Sequence, residues 1–389
     1  MTIKKFLFIS LIFISILSLF FIRKKLEDII SNFYIHYNLK YTNKLDSINI
    51  YANSFQLKVN RYKNYKFTNK TAGLIIDSNN LKIFEQSNLI GLKTYFHLDS
   101  LFKNIYNDKF YESEPLKQLY KYRDNILALL IFNDQKNKYI SIINCTKKFE
   151  IFRSKNLPTD IFLDYNGIGG GITEFNNDLL IAIGVPSAGY KNKISELAQN
   201  PNSPYGKVLI FKSDEIISKR SNIYAFKIFT MGHRNPQGLL NLHNTIYEVE
   251  HGPRGGDELN ILEKGYNYGW PIYSYGNSYE GNIYNIPKDT LQFKSPIYSF
   301  IPSVATSDIT ACPNFISEKF IPYDCLLLST LKAKSIFILI IDPINKKLVT
   351  QEQLNVGYRI REFLKEYKNT IIFSTDGYGV YKLDTLLNY

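Results

Sequence analysis

The pattern of apolar and polar positions divides the chain into three stretches. Residues 6–22, FLFISLIFISILSLFFI, are an uncharged apolar run between Lys4-Lys5 and Arg23-Lys24-Lys25. Residues 26–50 are polar and aromatic with weak helical spacing and read as a linker or a juxtamembrane helix. From about residue 51 onward, short runs rich in Ile, Leu, Val, Tyr and Phe alternate with clusters of Asn, Asp, Gly and Lys. Residues 72–77, 126–133, 139–144, 179–184, 207–212, 245–250, 325–331, 335–342 and 370–375 each read as a strand. Short strands at this spacing predict an all-β sandwich, barrel or propeller, and periodicity does not choose among them. No clean internal repeat is visible. Residues 85–122 are less regular and lean helical around 99–106 and 114–122. The run 379–383 reads as the last strand.

Composition sharpens this picture in three places. The run 6–22 is at the short end of a membrane span and also fits the apolar region of a signal peptide. No small-x-small cleavage site follows it, so residues 1–25 are read as an uncleaved signal anchor; positive charge on both flanks leaves its orientation open. The net charge of +12 comes from lysines scattered among asparagines, tyrosines and isoleucines, without a basic helix, and nucleic-acid binding is set aside. The three cysteines, Cys145, Cys312 and Cys325, show no metal-binding spacing. Cys312 and Cys325 either pair across a short loop or are separate small buried residues.

The densest chemistry lies in 231–271, MGHRNPQGLLNLHNTIYEVEHGPRGGDELNILEKGYNYGWP. Arg234 and Asn235 stand beside a turn-forming proline. Gly252-Pro253-Arg254-Gly255-Gly256 has almost no side-chain bulk, so its backbone can approach a ligand and its carbonyls can serve a hard cation. Asp257 and Glu258 add carboxylates, and Trp270 is the only tryptophan of the chain. Farther on, Arg359 and Arg361 alternate along a predicted strand and so share one side.

HRNPQG, EHGPRGGDE and NYGWP, in this order and spacing, closely resemble the glucose/sorbosone dehydrogenase family. Further segments agree: Ala198-Gln199-Asn200 through Gly206-Lys207, Ser329-Thr330-Leu331-Lys332, and Tyr358-Arg359-Ile360-Arg361 followed by Ser374-Thr375-Asp376. The resemblance covers about 160–389. It implies a six-bladed β-propeller over 51–389, carrying pyrroloquinoline quinone (PQQ) and Ca²⁺, in an extracytoplasmic, periplasmic domain tethered by the anchor helix. It implies a small-molecule sugar substrate, with hydride passing from the C1 hydroxyl to PQQ. By the same resemblance Arg234 and Asn235 lie beside the quinone oxygens, and Lys332, Arg359 and Arg361 hold the cofactor's carboxylates. The Gly252 and Pro253 carbonyls are expected to ligate the cofactor's Ca²⁺, and Glu258 with the Tyr268 carbonyl a second, structural Ca²⁺. Members of the family take the hydroxyl proton with a histidine in an HxGGR-like loop. The matching loop here, DYNGIGGGI at 164–172, contains none. The histidine position falls on Gly167 without a gap and on Tyr165 with a two-residue insertion, leaving Tyr165 and Asp164 as the candidate bases. His233 and His251 belong to the GHRN and EHGP motifs and are expected in supporting roles. The alternative to an enzyme is a propeller that binds PQQ, a sugar or a protein partner without turnover.

Overall fold

The computed structural model describes residues 47–51, 56–63, 70–77, 80–87, 89–106, 116–133, 138–157, 163–186, 193–286, 290, 292–364 and 370–385. All of them belong to one compact unit, Ser47–Tyr389, distinct from Met1–Asp46. The expected anchor helix and linker lie outside the described residues, except for the first residues of β1. No helix among the described residues is long and apolar enough to cross a membrane.

The described strands build six antiparallel sheets. In chain order they are β1 (Ser47–Tyr51), β2 (Gln56–Lys63), β3 (Thr71–Asp77), β4 (Asn80–Glu85), β5 (Leu116–Tyr122), β6 (Asn125–Asn133), β7 (Lys138–Asn144) and β8 (Phe149–Arg153). There follow β9 (Gly169–Phe175), β10 (Asp178–Ile183), β11 (Lys207–Phe211), β12 (Lys227–Met231), β13 (Pro236–Leu242), β14 (Thr245–Glu250), β15 (Asp257–Ile261) and β16 (Tyr298–Phe300). The last are β17 (Thr306–Ala311), β18 (Asp324–Thr330), β19 (Ser335–Asp342), β20 (Lys347–Asn355), β21 (Ile360–Phe363), β22 (Ile371–Thr375) and β23 (Gly379–Thr385). Sheets β5–β8, β9–β12, β13–β16 and β17–β20 are four-stranded meanders. A fifth runs β21-β22-β23-β2-β1, so a strand from the start of the unit pairs with the final strand and closes the ring.

The innermost strands β3, β5, β9, β13, β17 and β21 pack each against the next, and β21 returns to β3. This circular order is that of a β-propeller. Six apolar clusters fill the wedges between neighbouring sheets. Middle strands such as β18 and β19 are buried on both faces, which explains their unbroken apolar runs. The outer strand β20 is polar and largely exposed, as suits a sheet edge.

The expectation of six blades is corrected. Five sheets have four or five strands; the sixth angular position, between β21 and β5, holds only the hairpin β3–β4 among the described residues. There the chain continues into helices Leu89–Phe96 and Asp99–Tyr106, and Leu89, Leu92, Leu98 and Phe102 fill the wedge against β5–β8. The helical reading of 99–106 holds. That of 114–122 does not: Leu116–Tyr122 is the inner strand β5, because its apolar side chains are needed on both flanks of the ring.

A repeat that the sequence hides appears in the strand registers. Each inner strand begins with a β-bulge. The residue passed over is Ala72 in β3, Lys117 in β5, Gln237 in β13, Ser307 in β17 and Arg361 in β21; in β9 the irregularity falls at Gly170-Gly171. A bulge re-aims a side chain and bends its strand. Here all six bulges stand at the same point of the blade, around the axis.

Candidate functional site

At this bulged end lies a cavity of about 490 Å³. Three lining residues, Lys117, Gln237 and Arg361, are the bulge residues of their blades. Three more, Lys70, Asn235 and Arg359, stand two positions before the bulge in theirs. Arg234, His251, Asp164 and Tyr279 complete the charged and titratable lining.

Arg234 is held from several sides. Its backbone N–H and that of Asn235 donate to Glu250 Oε2 at 2.6 and 3.2 Å. Its guanidinium lies 5.3 Å from the Trp270 ring centre and donates to the His251 carbonyl at 3.0 Å. Its buried Nε has no hydrogen-bond partner. The motif residues around it interlock. Gln199 and Asn267 exchange side-chain hydrogen bonds, and Gln199 also donates to the Trp270 carbonyl at 2.6 Å. A Cβ on Gly232 would strike the Asn267 side chain, and Gly232 adopts φ +78°, so a larger residue does not fit there. Lys207, fully buried, donates to the carbonyls of Leu197, Ala198 and Tyr205 at 2.8–2.9 Å; burial pushes its pKa down to about 7.

Across the ring, Arg359 and Arg361 share one carboxylate. Arg361 reaches Asp376 with two contacts, at 2.9 and 2.6 Å, and Arg359 with one at 3.1 Å. Burial alone would raise the Asp376 pKa. Arg361 first, and Arg359 after it, outweigh that effect and hold the carboxyl below its ordinary range. The Arg361 side chain is 14% exposed and that of Arg359 44%. His251 Nε2 donates to the Thr306 carbonyl. Burial lowers the His251 pKa; Asp257 opposes this, and Arg234 adds to it.

Of the residues singled out from the sequence, Asp164, Gly167, Arg234, Asn235, Arg359 and Arg361 line this cavity together. Lys332 does not: it is exposed, and its neighbour Leu331 takes the lining position. The Tyr165 side chain lies outside the described residues. Gly252 and Pro253 are buried and follow directly on His251, without themselves lining the cavity. No described hydrogen bond ends on either carbonyl. Asp257 is structural, accepting from the N–H groups of Gly252, Val304 and Ala305 and so tying the glycine-rich loop to the start of β17.

A second polar cluster lies behind Arg234. Glu248 and Glu250 on β14 face Asn260 and Glu258 on β15, pair by pair. Ligand atoms of His233, Glu248 and Glu250 lie within 4.8 Å of one another. Burial, then the Glu250 charge, pushes the pKa values of Glu248 and Glu258 well up. Glu248 Oε1 and Asn260 Oδ1 are buried acceptors with no partner. Tyr268 stacks on His233 at 5.0 Å and borders the cluster. Of these residues only Glu258 and Tyr268 were expected as ligands. Glu248 and Asn260 were missed, although the alternation of a strand already places Glu248 on the face of Glu250.

Comparisons with known proteins identify the family and the fold. The sequence model of the family described as Glucose / Sorbosone dehydrogenase matches residues 160–381, more than half of the chain. Aldose sugar dehydrogenase YliI of Escherichia coli (strain K12) is 34% identical over 146 residues, 35% of this chain and 37% of that protein. Quinoprotein glucose dehydrogenase B of Acinetobacter calcoaceticus is 36% identical over 124 residues, 28% of this chain and 26% of that protein. The matched segments thus span well under half the length of these relatives. In fold, the chain is similar to the soluble aldose sugar dehydrogenase of Escherichia coli in its apo form, with TM-score 0.62 and 20% identity over 85% of this chain and 99% of that one. It is also similar to the PQQ-bound aldose sugar dehydrogenase of Streptomyces coelicolor, with TM-score 0.55 and 16% identity over 84% and 98%. Family match, propeller and motif residues agree: the chain belongs to the glucose/sorbosone dehydrogenase family.

Proposed function

We propose that this protein is a PQQ- and Ca²⁺-dependent dehydrogenase that oxidises an aldose at its C1 hydroxyl. The observation that carries the reading is the convergence of Arg234, Asn235, Arg359 and Arg361 on one cavity. Its volume falls in the range of small-molecule sites, and an orthoquinone bearing three carboxylates suits its excess of cations. When bound, the quinone supplies a two-electron acceptor for the hydride. Arg361 and Arg359 offer guanidinium forks to carboxylates, while Asp376 fixes their orientation from behind. The Arg234 guanidinium, held by the His251 carbonyl and the Trp270 ring, lines the cavity and offers charged donors to an oxygen there. Asp164, which lines the cavity, would take the hydroxyl proton, and Tyr165 is the adjacent candidate.

For calcium, two places fit. The Gly252 and Pro253 carbonyls beside His251 would hold an ion at the cofactor. The hairpin cluster fits a hard cation, since Glu248 and Asn260 each leave a buried oxygen unpaired among crowded carboxylates. Glu258, Glu248 and the Tyr268 carbonyl would hold that ion. The chain's own apolar run 6–22 would tether the propeller to a membrane, facing outside the cytoplasm. The Cys312–Cys325 disulfide supports an oxidising compartment.

The test is titration of the purified protein with PQQ and Ca²⁺, read by cofactor absorbance, followed by dye reduction with a panel of aldoses. Arg361→Ala should weaken cofactor binding by about 1.5–3 kcal/mol; the more exposed Arg359 should matter less. No binding at high micromolar PQQ with calcium present would refute the reading. The loop without a histidine favours a second reading, a propeller that binds the cofactor without efficient turnover. Tyr165→His and Gly167→His separate the two: in an otherwise complete site one of them should raise turnover by about 10²–10⁴-fold, the usual contribution of a positioned base.

A further inference from the structure

We propose that Lys207 is a positioning residue for Arg234. Its ammonium pins the short helical turn Ser195–Gln199, and through Gln199 and Trp270 that turn sets where the guanidinium lies in the cavity. Only the kinetic part of the test below rests on the dehydrogenase reading.

Lys207 begins β11 and is fully buried. Its ammonium donates to the Leu197 and Ala198 carbonyls at 2.8 Å and to the Tyr205 carbonyl at 2.9 Å. The first two acceptors lie in the closing half of the turn, where a lysine can satisfy the last carbonyls. Three N–H groups thus meet three carbonyls. No carboxylate among the described residues bonds to this ammonium, and burying a cation without one is costly. A neutral amide or amine there has only two N–H groups and would release at least one of the three carbonyls.

The pinned turn touches the segment that carries Arg234 at two places. At the first, the Ala198 carbonyl also accepts from the Gly232 N–H at 3.2 Å, and the Gly206 carbonyl accepts from the His233 N–H at 3.1 Å. A Cβ on Gly206 would strike Ala198 and the His233 carbonyl, so nothing intervenes between the two segments. At the second, Gln199 donates to the Trp270 carbonyl and exchanges hydrogen bonds with Asn267. The Trp270 N–H donates to the Gly232 carbonyl at 2.9 Å. The Trp270 ring in turn supports the Arg234 guanidinium by a cation–π contact.

The surroundings leave the ammonium as the one charge at this junction among the described residues. β10 and β12 place Ile183 and Met231 beside Lys207 in register. In the turn itself, Glu196 is exposed. Tyr205 shares a hydrogen bond with Ser154, and burial pushes its pKa up. His233 meets the junction through its backbone, while its ring bonds Thr230 and Glu250. Burial lowers the Lys207 pKa to about 7, so its third N–H is lost as pH rises through that value.

Trp270 is the only tryptophan of the chain, so its fluorescence reads the path without any cofactor. In Lys207→Met its emission should move to longer wavelength, and acrylamide should quench it more strongly. Gln199→Leu should act likewise, and the double variant should fall short of the sum of the two, because both changes cut one path. In the wild-type protein the same red shift should appear as pH rises through about 7, and it should be absent from Lys207→Met. On the PQQ- and Ca²⁺-loaded protein, kcat of Lys207→Met should fall by about tenfold or more, as for a displaced group beside the reacting bond. Cofactor absorbance should show PQQ still held through Arg359 and Arg361. If the wild-type protein binds no PQQ, the dehydrogenase reading fails by that observation alone, and the fluorescence still decides on Lys207. If Lys207→Met does not fold, the wild-type pH titration decides. A shift that Gln199→Leu suppresses supports the proposal, and a flat titration overturns it. A folded Lys207→Met with unchanged Trp270 emission and quenching, or strictly additive effects in the double variant, overturns it as well.

Discussion

Asp376 is the residue on which two cations of the cavity depend. Its carboxylate accepts from both Arg359 and Arg361, and their charges hold its pKa down against the effect of burial. A carboxyl whose folded-state pKa is depressed adds stability that is complete above the unfolded-state value of about 4. That contribution is lost as pH falls through the lower folded-state value. Asp376→Asn should therefore lower the unfolding free energy at pH 7 by about 1–3 kcal/mol, discounted for the partly exposed Arg359. The wild-type advantage should shrink below about pH 4, as urea titrations at pH 7 and pH 3 would show. An equal deficit at both pH values would mean that the pair acts through packing instead of charge. At this scale much of the site was legible: Arg234, Asn235, Arg359 and Arg361 carry chemistry recognisable from residue type and motif, and they line one cavity. Asp376 was seen only as part of a motif, because the sequence does not show that two arginines share one counter-ion. Lys332 lies outside the cavity lining: Leu331 takes the cavity side, and Lys332 beside it is exposed.

Secondary-structure elements explain what the sequence concealed. The six inner strands share a bulge at one end, but each fills it with a different side chain, from Ala72 to Arg361, so nothing repeats in residue identity. Lys117 went unnoticed for that reason: its element looked helical, and its position gains meaning only by comparison with β13 and β21. The β14–β15 hairpin was half legible. A strand's two-residue period predicts that Glu248 and Glu250 share a face, whereas the pairing with Glu258 and Asn260 depends on the register across the turn. Four polar side chains on one buried face are costly unless something neutralises them. Calcium should do so. Adding Ca²⁺ to chelator-treated protein should raise the apparent stability by about 2.7 kcal/mol when free calcium is 100-fold above Kd, by mass action. Glu248→Gln should reduce this gain while leaving the metal-free protein as stable or more so, since it removes a carboxyl whose charged form burial and Glu250 disfavour. A melting temperature indifferent to both chelator and calcium would leave the hairpin without its metal.

For the whole molecule the central question is how the ring closes. β23 pairs along one edge with β22 and along the other with β2, a strand more than 300 residues earlier in the chain. The sequence suggested 379–383 as the closing strand; the structure assigns the closure jointly to β23 and β2, a long-range pairing that no local pattern reveals. Leu57 and Val59 of β2 are fully buried in the cluster that also holds Tyr381 and Leu383. Fully burying such side chains stabilises by about 1.5–3 kcal/mol each, a large share of the roughly 5–15 kcal/mol that holds a typical domain together. Without β2, one edge of β23 would expose a row of unpaired backbone groups, open to pairing with another chain. Two truncations test this. A chain beginning at Ser47 keeps every described strand, and its propeller should melt cooperatively. A chain beginning at Asn64 loses β1 and β2, and should unfold at a temperature lower by at least about 10 °C or associate through the open edge. Calorimetry and size-exclusion chromatography of the two chains separate the outcomes. If the shorter chain stays monomeric and melts like the longer one, the ring is held by the packing of the six inner strands alone, and the pairing of β2 with β23 is dispensable.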